Sequence, residues 1–401
     1  MAPVGGGGKS VATRPARGTR PRNRRRLIIE AAADLFYKRG YGDVTMSEVA
    51  EAVAIGPSAL YRHFRGKDDL LEAVVEDSLD NLEDALRAVD TSADIAETLA
   101  GVILQRRSVG VLWRREARYL TAQGRRRLRT IARRIGQRLA AHIRQLRPNL
   151  GSAEADLLAW CALGVANSVS FHRLSLPEPA FTALLSELIA MPLHADVDLF
   201  PADHGEHHSA LAVRSRREAI LSAATILFAE KGFSATSIDD IGAAVGIAGP
   251  SVYNHFAAKT DILSAAIFRG NESLWRDFSR AVAGAADPAS ALARVVHSYQ
   301  VFAFENPYLV ATLLSETAYL PEPDCRNARR AQREYIDEWV HLATQVHLNW
   351  TPIEARIRIQ ACQMMINDVV QIRHLRSFAG INATLADIAG NLLEVTPSNQ
   401  S

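Results

Sequence analysis

The sequence predicts an all-α fold built from two tandem copies of one unit. Apolar residues recur at three- and four-residue spacing along most of the chain, while alternating β-branched runs are rare. Two stretches also match at a constant offset of 192 residues, which pairs Phe36 with Phe228 and Tyr61 with Tyr253. A repeat this long indicates duplicated domains, because solenoid units have only ~20–50 residues. At 401 residues, the chain is long enough for each copy to have its own core.

The composition, with 48% hydrophobic and 22% charged residues, is that of a globular protein. No apolar run approaches the ~18 residues needed to span a bilayer, and the basic N-terminus lacks the apolar core of a signal peptide. We therefore expect a cytoplasmic location and no membrane partner. The three cysteines are scattered and form no C-x-x-C pair, which favours buried, inert thiols over a redox role.

The N-terminal stretch is strongly basic. Residues 1–26 contain eight Lys or Arg side chains and no acidic one, with a glycine run at 5–8. This composition predicts a disordered basic arm over 1–20 that follows phosphates or enters a minor groove. The alternative is a solvated tail that only aids solubility.

In the first copy, an amphipathic helix is predicted over 22–38 and ends before Gly40. Thr45 and Glu48, three residues apart, form the capping box of a short helix. A tight turn leads to a second short helix over 57–63, and a longer fourth helix follows.

The second copy repeats this plan. Ser237 and Asp240 form its capping box, the turn lies at 245–247, and the second short helix covers 249–255. The remainder of each half contains only amphipathic helices. The predicted domains are a disordered basic arm (1–20), a first helix-turn-helix head (21–66), a first helical regulatory domain (67–195), a linker (196–212), a second helix-turn-helix head (213–258) and a second helical regulatory domain (259–396).

Two short helices joined by a tight turn form the helix-turn-helix motif, whose second helix enters the major groove of DNA. The motif residues are Gly40-Tyr41, Thr45, Leu60-Tyr61-x-His63-Phe64-x-x-Lys67 in the first copy and Gly232-Phe233, Ser237, Tyr253-x-His255-Phe256-x-x-Lys259 in the second. They resemble the DNA-binding domain of the TetR family of transcriptional regulators. The helical remainders agree with the ligand-binding and dimerisation domain of that family in class and length only. The resemblance implies two tandem TetR-like units.

The resemblance implies a role for each matching position. Thr45 and Ser237 would bind phosphates through their hydroxyls and backbone N–H groups. The residues that would clamp the DNA backbone are Tyr61, His63, Lys67, Tyr253, His255 and Lys259. Those that would face base edges are Pro57, Ser58, Ala59 and Arg62 in the first head and Gly249, Pro250, Ser251 and Asn254 in the second. Arg62 favours guanine and Asn254 favours adenine. Alternatively, the two tyrosines are partly core residues and the two histidines cap helix ends.

The two heads differ from each other and from the family pattern. Ala54 replaces the glycine that Gly246 retains, which predicts an altered turn in the first head. Ala59 lacks the hydroxyl of Ser251, so the first head is expected to bind DNA more weakly or to depend on the basic arm. Two unlike heads in one chain predict an internal pseudo-dimer on an asymmetric site, with a homodimer as the alternative.

The effector is indicated only by resemblance. The segments 113–120 and 172–177 are similar to tandem TetR-type repressors of mycobacteria that control lipid-import and lipid-metabolism genes, and the excess of Arg over Lys suits an actinobacterial genome. This implies a small hydrophobic or acyl-CoA-like effector. The candidate ligand-binding residues are Trp113, Glu116, Phe171, Tyr299, Phe302, Tyr308, Tyr319 and Trp339. The alternative is that the aromatic residues form the bundle core and that Glu116 pairs with an arginine.

No catalytic motif occurs, and we expect neither an enzyme nor a cofactor. His204, His207 and His208 are possible metal ligands, but they lie in the predicted linker without a helical frame, so no metal site is predicted. The sequence predicts a DNA-binding transcriptional repressor that a ligand releases from its operator. An activator is equally compatible with these residues. The alternative class is a ligand-binding or scaffolding module in which one or both heads do not bind DNA.

Overall fold

The computed structural model describes residues 23–89, 95–112, 116, 119–201 and 215–395. The predicted basic arm over 1–20, Trp113 and the histidines at 204–208 lie outside these residues. The described chain forms two compact units. One comprises the residues up to Asp80 together with Val111–Arg129, and the other comprises Asn81–Gly110 and the residues from Thr130 onward.

The described residues are almost entirely helical, which confirms the predicted all-α class. The helices of the first half are α1 (Arg24–Arg39), α2 (Met46–Ala52), α3 (Pro57–Leu60), α4 (Lys67–Ala88), α5 (Ile95–Gln105), α6 (Val109–Val111), α7 (Ala122–Leu146), α8 (Ser152–Asn167) and α9 (Ala180–His194). Those of the second half are α10 (Arg216–Lys231), α11 (Ile238–Ala244), α12 (Gly249–Val252), α13 (Lys259–Ala283), α14 (Pro288–Glu305), α15 (Pro307–Ser315), α16 (Glu322–Val346), α17 (Pro352–Val369) and α18 (Ile381–Leu392). Single 3-10 turns cover 168–170, 317–319 and 375–377.

One short strand pair accompanies the helices of the second unit. The strands β1 (Phe200–Pro201) and β2 (Phe378–Ala379) are antiparallel, and Phe200 lies opposite Ala379. Because β1 follows the last helix of the first half and β2 precedes the last helix of the second, this ladder links the ends of the two halves.

The first short helix of each head begins with the predicted capping box. The Thr45 hydroxyl accepts the Glu48 N–H at 3.2 Å, and the Thr45 N–H donates to the Glu48 carboxylate at 2.7 Å. Ser237 and Asp240 repeat this pair of hydrogen bonds at 3.0 and 2.8 Å. Both capping boxes are therefore confirmed, and they fix where α2 and α11 begin.

The turn of the helix-turn-helix motif is the same in both heads. Ala54 has φ +55° and Gly246 has φ +71°, so both residues occupy the left-handed region. The following residue closes the turn in each case, with Ile55 N–H bonded to Ala50 O and Ile247 N–H bonded to the carbonyl of residue 242, both at 2.9 Å. The expectation that Ala54 alters the first turn is therefore wrong. The alanine adopts a backbone conformation that glycine occupies more readily.

The duplication extends beyond the heads. Helices α7 and α16 each contain 25 residues, and their residue numbers differ by 200 at both ends. Helices α8 and α17 begin at Ser152 and Pro352, which keeps the same offset. These two helix pairs are thus also repeated, although the sequence predicts only the same helical class for the two regulatory domains.

Helices α8, α9, α17 and α18 of the second unit pack together, and α8 lies directly on α17. A Cβ at Gly164 would be 2.9 Å from Met365 Cα, so the two backbones approach closely there. Arg358 of α17 is only 3% exposed and pairs with Glu187 of α9 at 2.8 Å. The last two helices of the first half, α8 and α9, therefore pack against the last two helices of the second half, α17 and α18. Cys161, Cys325 and Cys362 are buried, as predicted.

Candidate nucleic-acid interface and effector cavity

The helix predicted to enter the major groove, called the recognition helix below, is α3 in the first head and α12 in the second. Each is a single turn anchored in its head by one buried aliphatic residue. Leu60 ends α3 and Val252 ends α12, and both side chains are fully buried. The next residues point outward, with 54% of Tyr61 and 53% of Tyr253 exposed. The interpretation of these tyrosines as core residues is therefore not supported. Tyrosine is enriched at interfaces, because its ring contacts apolar groups while its hydroxyl hydrogen-bonds to polar ones.

The residues predicted to face bases mostly lie on the exposed side of the recognition helices. Pro57, Ser58 and Arg62 are exposed in the first head, as are Pro250 and Asn254 in the second. Ala59 and Ser251 are half-buried, while His63 is exposed and His255 is half-buried.

Gly249 is the exception among the predicted base-facing residues. It is buried, and a Cβ at this position would collide with Asp239 Oδ1. The predicted contact of Gly249 with base edges is therefore not supported by its position. The close approach of α11 to α12 requires a glycine there instead.

The predicted phosphate-binding hydroxyls already have an acidic partner. Thr45 Oγ1 lies 2.8 Å from the Glu48 carboxylate, and Ser237 Oγ lies 2.7 Å from that of Asp240. Hydrogen bonds from Thr45 and then from Arg39 lower the pKa of Glu48 from 4.5 to about 2. The pKa of Asp240 is lowered for the same kind of reason. A phosphate would therefore have to replace a carboxylate that is ionised near neutral pH.

The two predicted clamp lysines fold back onto their own heads. Lys67 Nζ donates to Gly42 O at 3.2 Å and lies 4.2 Å from the centre of the Tyr41 ring. Lys259 Nζ donates to two carbonyl oxygens of the equivalent turn, at 2.8 Å each, and lies 4.3 Å from the centre of the Phe233 ring. Partial burial lowers the pKa of both ammonium groups. In this structure the lysines stabilise the turn between the first two helices of the head and do not point outward.

An arginine of the first helix covers the aromatic core residue of each head. The Arg25 guanidinium lies 5.0 Å from the centre of the Phe64 ring. The Arg217 guanidinium lies 4.2 Å from the centre of the Phe256 ring. The sequence analysis missed this pair and assigned Arg25 to the basic N-terminal stretch. The constant repeat offset, which relates Arg25 to Arg217, is the signal that could have revealed it.

A buried glutamate joins each head to the helices that follow it. Glu116 is 2% exposed and accepts the Tyr41 N–H at 3.3 Å, within the first unit. Glu316 is 1% exposed and accepts the Phe233 N–H at 2.9 Å, within the second. The prediction that Glu116 binds a ligand is therefore not supported, because its carboxylate contacts the head.

A tyrosine three residues after each glutamate completes this contact. The Tyr119 and Tyr41 ring centres are 4.8 Å apart, and those of Tyr319 and Phe233 are 5.4 Å apart. The structure thus places Tyr319 against the head and away from the cavity described next. The repeated Glu-x-x-Tyr spacing in both halves is a sequence signal that the analysis did not use.

A cavity of about 280 Å³ lies in the second unit, among the helices of the second regulatory domain and the turn that follows α8. Three of the candidate ligand-binding residues, Phe171, Tyr299 and Phe302, line this cavity. Trp339 does not line the cavity but packs against Tyr299, and the centres of the two rings are 5.8 Å apart. Tyr308 lines a separate depression between α10, α13 and α15.

The protein-family model described as "Bacterial regulatory proteins, tetR family" matches residues 28–74 and 220–266, one match for each head. The regulator TtgR of Pseudomonas putida is 39% identical over 75 residues, which are 19% of this chain and 35% of TtgR. The transcriptional activator FasR of Mycolicibacterium smegmatis is 35% identical over 97 residues, 22% of this chain and 44% of FasR. The repressor KstR2 of the same species is 31% identical over 87 residues, 21% of this chain and 42% of KstR2.

The chain therefore spans less than half the length of these curated relatives. A solved structure of KstR2 from Mycobacterium tuberculosis superposes with a TM-score of 0.42 at 19% identity and covers 47% of this chain and 98% of that one. Each head is therefore similar to tetR-family regulators over the matched residues. No helix among the described residues is long and apolar enough to cross a membrane.

Proposed function

We propose that the protein is a cytoplasmic transcriptional regulator, not an enzyme, whose two heads bind double-stranded operator DNA. The observation that carries the proposal is the repeated surface of the recognition helices. In each head a buried aliphatic residue holds the helix and the following tyrosine, Tyr61 or Tyr253, is more than half exposed. Such a surface suits contact with the DNA backbone beside a major groove.

The two heads would recognise different bases. Arg62 and Asn254 are both exposed at the ends of their recognition helices. A guanidinium pairs with the O6 and N7 edge of guanine, whereas a side-chain amide pairs with the N6 and N7 edge of adenine. One chain carrying both heads would thus prefer an asymmetric operator.

Pairing of the halves within one chain supports an internal pseudo-dimer. Helix α8 of the first half lies on α17 of the second, and the buried Arg358 pairs with Glu187 across the same contact. Because α8 and α17 already bury each other's surface, they could form an interface with a second chain only if this contact were broken. Light scattering separates the proposed monomer from the alternative homodimer. We also propose the domain boundaries that were predicted from the sequence.

The cavity supports release from DNA by a small hydrophobic or acyl-CoA-like effector. Helix α13 carries Asn271 at the cavity and Lys259 at the second head, so a ligand that displaces this helix also moves the head. Paired heads bind half-sites about one DNA turn, ~34–36 Å, apart, so a changed spacing lowers operator affinity. The regulated genes would belong to lipid metabolism, as the resemblance of the segments 113–120 and 172–177 to mycobacterial lipid-gene repressors implies. We propose that the protein is a repressor. Activation of transcription is the second candidate, because the relative FasR is an activator.

Salt-dependent binding to a pool of random duplex DNA tests this function against the scaffold alternative. Several phosphate contacts make log K fall by about 0.9 per contact for each unit of log[salt]. We expect a steep slope for the full chain and weaker binding by Tyr61→Ala and Tyr253→Ala. Leu348→Ala is the matched control, because this side chain is 90% exposed but lies outside both heads. A chain without measurable affinity at low salt would be a scaffold.

A further inference from the structure

We propose that each chain holds one effector, in its second half, and that this effector is an uncharged molecule whose oxygen accepts hydrogen bonds from the amides of Asn271 and Gln363. This inference rests on the proposed function and specifies the ligand class of its cavity. It also narrows the effector expected from the sequence, since an acyl-CoA carries several negative charges.

Two buried amides in the cavity wall have donors without a partner. Asn271 is 6% exposed and Gln363 is 9% exposed. Neither Asn271 Nδ2 nor Gln363 Nε2 has a hydrogen-bond partner among the described residues, and Gln360 Oε1, an acceptor in the same wall, has none either. Buried donors in native proteins nearly always have partners, and an unpaired one requires an explanation. Both residues line the cavity, so an acceptor oxygen of a ligand in that space would supply the missing partner.

The charge of the lining determines the ligand class. Among the described residues that line the cavity, none is Lys, Arg, His, Asp or Glu. A carboxylate or phosphate placed there would lose its hydration without gaining an opposite charge. The aromatic wall, which includes Trp275 and Tyr335, suits an apolar body instead. A ketone, ester, amide or alcohol with a hydrocarbon body meets both conditions.

At several described positions, the first half has bulky or charged side chains where the second half has cavity wall. Ile336 and Gln360, which line the cavity, correspond to Gly136 and Trp160 at the offset of 200. A Cβ at Gly136 would lie 2.9 Å from Trp160 Cζ2, so the indole occupies the room that the glycine leaves.

In the first half, a cluster of charged side chains occupies another position that is equivalent to the cavity wall. Trp275 of the cavity wall corresponds to Glu83 at the offset of 192, and the Glu83 side chain is 3% exposed. Its carboxylate accepts Arg134 Nε at 2.8 Å and lies 3.6 Å from Arg138 Nη2. The carboxylate is buried although both arginines are partly exposed, and a buried carboxylate that loses its partners is costly. At these described positions, the first half therefore leaves less room for a ligand than the second half does.

The cavity nevertheless depends on the first half for part of its wall. Ser168 and Phe171, in the turn after α8, line it together with residues of the second half. A bound ligand would therefore contact both halves of the chain, which links one binding event to the packing between them.

Binding to the full chain without DNA tests the proposal, with the fluorescence of Trp275 and the other tryptophans as the signal. The probes are methyl decanoate and cyclododecanone, which are neutral, and decanoate, which is charged. We expect saturable binding of a neutral probe, one molecule per chain, and affinity for decanoate about tenfold or more lower than for its methyl ester. Two molecules per chain, equal affinity for decanoate, or no binding of either neutral probe would overturn the proposal.

Two variants locate the site. Asn271→Leu introduces the residue that the first half has at Leu79 and removes the donor, so affinity for the neutral probe should fall about tenfold. Trp160→Phe changes the first half and should leave the affinity unchanged. Equal affinities of Asn271→Leu and the wild type would contradict the assignment, provided that both melt cooperatively.

Operator binding is measured separately, so that the two proposals can fail independently. A neutral probe that binds as expected but never changes affinity for DNA would refute ligand release and leave the assigned site intact. Release of DNA by decanoate but not by its ester would support regulation and refute the assigned ligand class.

Discussion

The turn of the helix-turn-helix motif has the same backbone conformation in both heads, although a different residue occupies it in each. The turn of the first head contains an alanine in a left-handed conformation, and that of the second contains a glycine in the same conformation. The sequence analysis identified the substitution but expected the backbone to change. Backbone hydrogen bonds on both sides of the turn hold the alanine in its strained conformation instead.

Relief of this strain gives a first prediction. Ala54→Gly should raise the free energy of unfolding by up to about 1 kcal/mol, and Gly246→Ala should lower it by about 1–2 kcal/mol, because a Cβ is unfavourable at positive φ. The space around Gly246 is open, so only the backbone is affected. Urea denaturation measures both changes. Gly42→Ala is the control, since Gly42 is open and lacks a positive φ; a loss of stability in Ala54→Gly would contradict the strain.

The capping-box carboxylate of the first head gives a prediction about pH. The pKa of Glu48 is lowered to about 2 in the folded head, so its contribution to stability is present above about pH 4.5 and is lost as the pH falls toward 2. Glu48→Gln should therefore be less stable than the wild type near neutral pH and equally stable near pH 2. Thermal unfolding of both proteins across this range measures the difference. A difference that does not change with pH would argue against an ionised cap.

The buried glutamate at residue 316 gives a third prediction. Glu316→Ala leaves the Phe233 N–H buried without its acceptor, which should cost about 1–3 kcal/mol. Glu316→Gln retains an acceptor and should cost less. Glu322→Ala is the control, because this side chain is 73% exposed in a surface ion pair and should change stability by less than about 0.5 kcal/mol. Equal losses for the alanine and glutamine variants at 316 would show that the hydrogen bond contributes nothing.

At the scale of elements, helix starts were more predictable than helix ends. The capping boxes placed α2 and α11 correctly because their signals are local in sequence. The first recognition helix was predicted over 57–63, but α3 ends at Leu60. Burial of Leu60 and Phe64 in the head core forces the chain into a turn after the first of them. Such a constraint comes from tertiary packing, which no local pattern records.

The contact between α8 and α17 supplies the prediction for this scale. A methyl group at residue 164 would meet the backbone of Met365, which cannot move aside as a side chain can. Gly164→Ala should therefore destabilise the second unit by about 1–3 kcal/mol. Gly101→Ala, in α5, has open space around it and should stabilise by about 0.5–1 kcal/mol. Melting temperatures that rise in both variants would mean that α8 and α17 are not in close contact.

For the whole molecule, the sequence was most informative about what is repeated. Matches at fixed spacing identified both heads, because the same core and surface residues are needed twice. Differences between the halves were less visible. Trp160 and Gln360 occupy equivalent positions, but only the packed structure relates one to a filled space and the other to a cavity. The roles of Glu116 and Tyr319 were missed for the same reason, since their partners are distant in sequence.

The central claim is that two unlike heads of one chain recognise a single operator. Selection of bound sites from random duplex DNA, with the wild type, Tyr61→Ala and Tyr253→Ala, tests it most directly. The account predicts a consensus without two-fold symmetry, with affinity weakened by either substitution. A palindromic consensus that only Tyr253→Ala weakens would contradict it, because one head would then bind DNA and two chains would have to pair.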